Sequence, residues 1–139
     1  MQKLHIKKTQ YTPEIILNPE ESKFLIQGNS APEDVRGLYY PVIEWLRIFV
    51  DDILDGEIRK FTGENPMRMQ IDLSYFNSSS AKFLYDILLE LKRLREKEVP
   101  FVAEWYYDEE DLDMKDAGTD ISNLAEVSFV FTPKHKGQV

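Results

Sequence analysis

The chain has no cysteine, which excludes disulfides and thiolate metal sites and permits a reducing compartment. Histidine is nearly as scarce, with only His5 and His135. Nucleophilic serine catalysis needs a base beside the hydroxyl, usually histidine, and an oxyanion donor pair. His5 falls in the first strand-like segment and His135 in the last residues, and no G-x-S-x-G elbow surrounds the central serines, so a hydrolase is not expected. Positive charge is also short. Seventeen Lys and Arg stand against 25 Asp and Glu, a net charge of −8, which argues against a broad basic face and against nucleic acid as a partner. Long apolar runs are absent too. Met1 to Lys8 has no stretch of signal-peptide length and no later segment approaches a membrane span, so the expectation is a cytoplasmic protein without a membrane partner.

The 139 residues are 42% hydrophobic and 12% aromatic, enough for one packed core. No internal repeat or low-complexity tract is visible, and the expected organisation is one domain over residues 1–132 with a polar tail at 133–139. Leu4 and Ile6 alternate with polar residues, Thr12-Pro13 turns the chain before Glu14 to Leu17, and Asn18 to Ser22 turns it again before Phe24 to Ile26. That order predicts an antiparallel meander. Gly28 to Asp34 is rich in turn formers and predicts an exit from the sheet. Its spacing is too irregular for a phosphate cradle, and a turn capping the next helix is the better reading. That helix is expected from Pro41, at a first-turn position, through Val42, Trp45, Leu46, Phe49 and Ile53 to Gly56.

Met67, Met69, Ile71 and Leu73 recur at period two, the pattern of a strand with one face on the core. Leu84, Ile87, Leu88, Leu91 and Leu94 then form a helical stripe, with Lys92, Arg93, Arg95 and Lys97 in its last turns where cations complement the dipole. Val99 to Tyr106 predicts another strand with Pro100 near its start. Asp108 to Asp116 predicts a short helix stopping near Gly118, Ile121 to Ala125 a further helical turn, and Val127 to Phe131 a last strand. The order β-β-β-α-β-α-β-α-β predicts an α/β domain, a mixed central sheet with helices packed on it and parallel pairing across the strand-helix-strand units.

The junction Gln70 to Lys82 carries the most chemistry, because the alternating strand runs through Asn77, Ser78, Ser79 and Ser80 into the apolar helix. A helix start has unpaired N–H donors and the positive dipole end, so it stabilises added negative charge, and a phosphoryl group is the obvious one. Ser and Asn are also the favoured N-cap residues, and simple capping is the competing reading for any one of the three serines. The acidic run from Asp108 to Asp116 fails as an EF-hand loop, with Leu112, Asp113 and Thr119 at the fifth, sixth and terminal positions, and reads as a solvated helix start; no metal is expected. In Trp105-Tyr106-Tyr107, alternation buries one or two rings and leaves another near the surface.

Thr12-Pro13-Glu14-Ile15, Gly28-Asn29-Ser30-Ala31-Pro32-Glu33, Tyr40-Pro41-Val42-Ile43-Glu44-Trp45, Leu73 to Lys82 and Trp105 to Asp111 together resemble, in the same order, the SiaC family of bacterial regulatory phosphoproteins. The resemblance spans most of the chain and implies a STAS-like fold similar to anti-sigma-factor antagonists. It implies a hydroxyl at a helix start that a dedicated serine/threonine kinase phosphorylates and a PP2C-like phosphatase clears. The unmodified form would bind and activate a diguanylate cyclase, coupling phosphorylation to cyclic di-GMP and biofilm behaviour. Ser78 matches the phosphoacceptor, where the family commonly has threonine, with Ser79 and Ser80 as alternative phosphoacceptors. Tyr75, Asn77, Ser79, Ser80, Lys82 and Tyr107 are the expected partner-binding residues. No cofactor and no catalytic residue is implied. The rival readings are an anti-sigma-factor antagonist that uses the same serine on another partner, and a small enzyme.

Overall fold

The structure, a computed structural model, describes residues 1–57 and 61–135. Among them the elements run β1 (Leu4–Ile6), β2 (Glu14–Asn18), β3 (Lys23–Ser30), α1 (Val35–Leu54), β4 (Met67–Phe76), α2 (Ser78–Lys92), a 3-10 turn (Arg93–Lys97), β5 (Phe101–Asp108), α3 (Leu112–Ala125) and β6 (Phe129–Lys134). The strands lie side by side in chain order. β1, β2 and β3 pair antiparallel, and β3–β4, β4–β5 and β5–β6 pair parallel, so the sheet is mixed as the element order predicts.

Each parallel step advances to the next strand position. Right-handed crossovers therefore place all three helices on one face, where α1 packs on α2 and α2 on α3. Period two sorts the sheet residues. Ile15, Leu17, Phe24, Ile26, Met67, Met69, Ile71, Leu73, Ala103 and Trp105 are buried under the helices. The opposite face mixes apolar and polar residues: Ile16, Leu25, Val102 and Val130 lie on it, Gln70 Nε2 donates to Tyr106 Oη at 3.0 Å, and Lys134 pairs with Asp72 at 2.6 Å.

Four expectations from the sequence are corrected. α1 begins at Val35, not Pro41, because Asp34 caps it through Gly37 N–H (3.0 Å) and its buried face already includes Tyr39. Pro41 sits inside the helix on its exposed side, where water can serve the carbonyl that its missing N–H leaves unpaired. The chain does not leave the sheet at Gly28; β3 runs on to Ser30 past an irregularity in which Gly28 adopts φ +120°. α3 is one helix that passes through Gly118, where a Cβ would stand 2.5 Å from Trp105 Nε1. Glycine is there for close approach of helix to sheet, not to stop the helix. Pro133 and Lys134, expected in the tail, pair with Tyr107 and Asp108 as the end of β6, while residues 136–139 lie outside the described residues.

The cations at the end of α2 and just after it do more than complement its dipole. Lys92 Nζ and Arg95 Nη1 donate to the carbonyls of Ala125 and Glu126 at 3.2 and 2.9 Å, which ties them to the C-terminal end of α3. Arg93 bridges Asp51 on α1 and Glu90 on α2.

Candidate functional site

The site is built where β4 becomes α2. Gly28 pairs with Leu73 and Asn29 with Tyr75, which leaves Ser74 without a partner on β3. This extra residue reverses the alternation. Tyr75 turns out to solvent, 55% exposed, and Phe76 turns in, its ring 5.8 Å from that of Trp105 in an edge-to-face contact. Asn77 N–H still donates to the Ser30 carbonyl at 3.0 Å, so the sheet holds the chain to the last residue before the helix.

Asn77 is the N-cap. Its Oδ1 accepts the Ser80 N–H at 2.9 Å and the Ser79 hydroxyl at 3.1 Å. The three serines consequently differ. Ser78, the first helical residue, is exposed and its hydroxyl makes no hydrogen bond with any described residue. Ser79 is exposed with its hydroxyl on the cap. Ser80 is fully buried: its Oγ donates to the Ser30 carbonyl at 3.0 Å and lies 2.8 Å from Ser30 Oγ, which is 2.6 Å from Tyr39 Oη. Ser80 is therefore corrected from an alternative acceptor and partner contact to a packing residue, since no kinase or partner reaches a hydroxyl sealed in this way. Burial pushes the Tyr39 phenol above its usual pKa, opposed by its hydrogen bonds to Ser30 and Ser80.

Tyr107 is also corrected. It lies on the helix side of β5, 8% exposed, with the Lys115 ammonium 5.8 Å from its ring centroid. Tyr106 projects to the other face, where burial is the main cause of its raised pKa. Lys82 is exposed, 2.6 Å from Asp86 and 4.7 Å from the Phe83 ring centroid.

Two features near the serines involve residues that the sequence reading passed over. A groove of about 250 Å³ between the starts of α1 and α2 is lined by Val35, Arg36, Tyr40, Ser79, Lys82 and Phe83. Tyr40 is 55% exposed, its ring edge-on to Phe83 at 5.7 Å. Ser30, the buried partner of Ser80, belongs to the Gly28 to Glu33 motif, and its parity with Phe24 and Ile26 was the available signal that it faces inward. A second groove at the carboxyl ends of β4, β5 and β6 is lined by Leu73, Ser74, Asp108, Glu110, Asp111 and Lys134. Asp111 caps α3 through Met114 N–H at 3.0 Å, and Asp108 accepts the Glu110 N–H at 2.9 Å. Among the described residues no three His, Cys, Asp or Glu are grouped to hold a metal ion. His5 bonds Glu14 and His135 bonds Glu109.

A mixed sheet covered on one face by three helices, with a free hydroxyl at the start of the central helix, defines a small α/β module. The chain belongs to the SiaC family of regulatory phosphoproteins, whose sequence model matches residues 6–134. An uncharacterized protein of Pseudomonas aeruginosa strain UCBPP-PA14 is 33% identical over 108 residues, 78% of each chain. The crystal structure of apo-SiaC from P. aeruginosa superposes with a TM-score of 0.75 at 29% identity, over 96% of this chain and 99% of that one. A chain in the crystal structure of the diguanylate cyclase SiaD in complex with its activator SiaC, from the same organism, matches with a TM-score of 0.77 at 29% identity, over 95% and 98%. The expected α/β fold and family are thus both found.

Proposed function

We propose that this chain is a phosphorylation-controlled binding module, without catalytic activity of its own, that docks on a diguanylate cyclase and activates it while Ser78 is unmodified. The observation that carries the reading is the free, exposed Ser78 hydroxyl on a helix start whose cap and sheet contacts leave it no structural task. Family membership and the likeness to the SiaC of the SiaD complex support the partner class. A cytoplasmic setting, where kinase, phosphatase and cyclase share the same pool, fits this role.

Phosphorylation adds about −1.5 to −2 charges and three acceptor oxygens. The positive end of α2 accommodates them within the domain. A partner surface that buries a neutral hydroxyl does not, and desolvation with like-charge repulsion costs several kcal/mol, on the order of a thousandfold in affinity. Tyr75, Asn77, Ser79 and Lys82 surround Ser78 as the docking surface, with Tyr75 as its aromatic anchor. A serine/threonine kinase and a PP2C-like phosphatase would set the modified fraction.

The test compares unmodified, Ser78→Ala and enzymatically phosphorylated protein for binding to a diguanylate cyclase from the same cell. The first two should bind alike and the third at least a hundredfold more weakly. Equal affinity in all three removes the switch.

A further inference from the structure

Arg36 is an exposed cation that makes no ion pair or hydrogen bond with any described residue. Other cations on the helix face are engaged: Arg47 with Glu44 and Asp51, Arg93 with Asp51 and Glu90, and Lys82 with Asp86. Arg36 stands in one wall of the groove between α1 and α2, and Ser79 and Lys82 stand in the other. Of the acidic residues just before it, Asp34 is occupied as the cap of α1. An unpaired guanidinium in a groove that also holds Ser79, the residue next to the modifiable Ser78, in a chain of net charge −8, is the feature that the docking surface alone leaves unexplained.

We propose that Arg36 receives the phosphoryl group when Ser78 is modified, with Lys82 as the second cation, so that the modified protein holds its own phosphate across the α1–α2 groove. This rests on the reading of Ser78 as the phosphoacceptor. In that modification the γ-phosphoryl group of ATP passes to Ser78 Oγ, the bond to the ADP oxygen breaks, and the hydroxyl proton leaves to the kinase's base.

Lys82 lies four residues after Ser78, one helical turn along the same face. The guanidinium fork suits two phosphate oxygens at once, which a point charge does not. Lys82 can exchange Asp86 for the more highly charged phosphate with little loss, because its present pair is exposed. Tyr40 and Phe83 supply the apolar lining of the groove, and Lys82 already lies over the Phe83 ring. The result is a phosphate that joins α1 to α2, in addition to blocking a partner.

The experiment uses full-length protein with phosphoserine installed at position 78 during translation, so it depends on neither kinase nor cyclase. The phosphorus NMR shift is followed against pH at low salt. Free phosphoserine has a second pKa of about 6, and pairing with cations favours the dianion, so the clamped group should titrate lower by about half a unit. Arg36→Gln should return most of that shift, Arg36→Lys only part of it, and high salt should erase it in the parent protein. Arg36 is exposed and unpartnered, so these variants do not threaten the fold. Identical titrations of the parent and Arg36→Gln overturn the clamp, whatever the cyclase measurement shows. A normal clamp with unaltered cyclase binding instead contradicts the functional reading and leaves the clamp standing.

Discussion

The hydroxyl oxygens of Ser30 and Ser80 lie 2.8 Å apart in the core although fifty residues separate them in the chain. With Tyr39 Oη at 2.6 Å from Ser30, they pin β3, α1 and α2 together beneath the exposed Ser78. The hydroxyl that is free to react is thus carried on a helix start held by hydroxyls that are not.

Ser80→Ala removes one member of this buried set and leaves Ser30 and Tyr39 short of a partner, which costs about 1–3 kcal/mol. Thermal unfolding followed by circular dichroism should show a fall of several degrees in Tm. Ser78→Ala, which removes a solvent-facing hydroxyl, should unfold within about 0.5 kcal/mol of the parent.

Tyr39 gives the stability a dependence on alkaline pH. Its folded pKa is raised, so between the unfolded value of about 10 and the folded one the unfolded chain loses a proton that the folded chain keeps. Stability is fully present below that window and falls as pH rises through it. Tyr106 contributes with the same sign. In urea titrations the advantage of the parent over Tyr39→Phe, about 1 kcal/mol near neutrality, should shrink above pH about 10. A constant difference would show that Tyr39 ionises equally in both states.

Gly118→Ala drives a Cβ to within 2.5 Å of Trp105 Nε1, which donates to the Met114 carbonyl at 3.0 Å. The indole is 1% exposed and has no free direction to move, so overpacking should cost about 1–3 kcal/mol or more despite alanine's better helix propensity. Tryptophan emission should shift to the red together with the loss of stability.

Local pattern made much of this molecule legible. Period two in Met67 to Leu73 and the helical stripe from Leu84 to Leu91 depend on residues near one another in the chain, and both appear as read, whereas the cap expected of a serine is made by Asn77 and Leu94 falls in the 3-10 turn after α2. The departures come from contacts between distant segments. Pro41 looks like a helix start until Tyr39, one turn from the cap, is seen buried against Phe83 with ring centroids 5.5 Å apart. Gly118 looks like a stop until Trp105 comes across to fill its face. Tyr75 is exposed only because pairing with β3 skips Ser74. Ser80 lies four residues before Leu84 and seven before Ile87, so extending the helical stripe back by one turn would have placed it inside, while the partners that it finds there, Ser30 and Tyr39, come from distant segments. Arg36 escaped notice for the same reason, its groove being formed by two helices that the sequence keeps apart.

The most direct measurement is cyclic di-GMP production by a diguanylate cyclase from the same cell, titrated with this protein either unmodified or bearing phosphoserine at position 78. The unmodified form should raise turnover to saturation, and the phosphorylated form should leave it near the basal rate at the same concentrations. Activation by both forms along one curve would contradict the account.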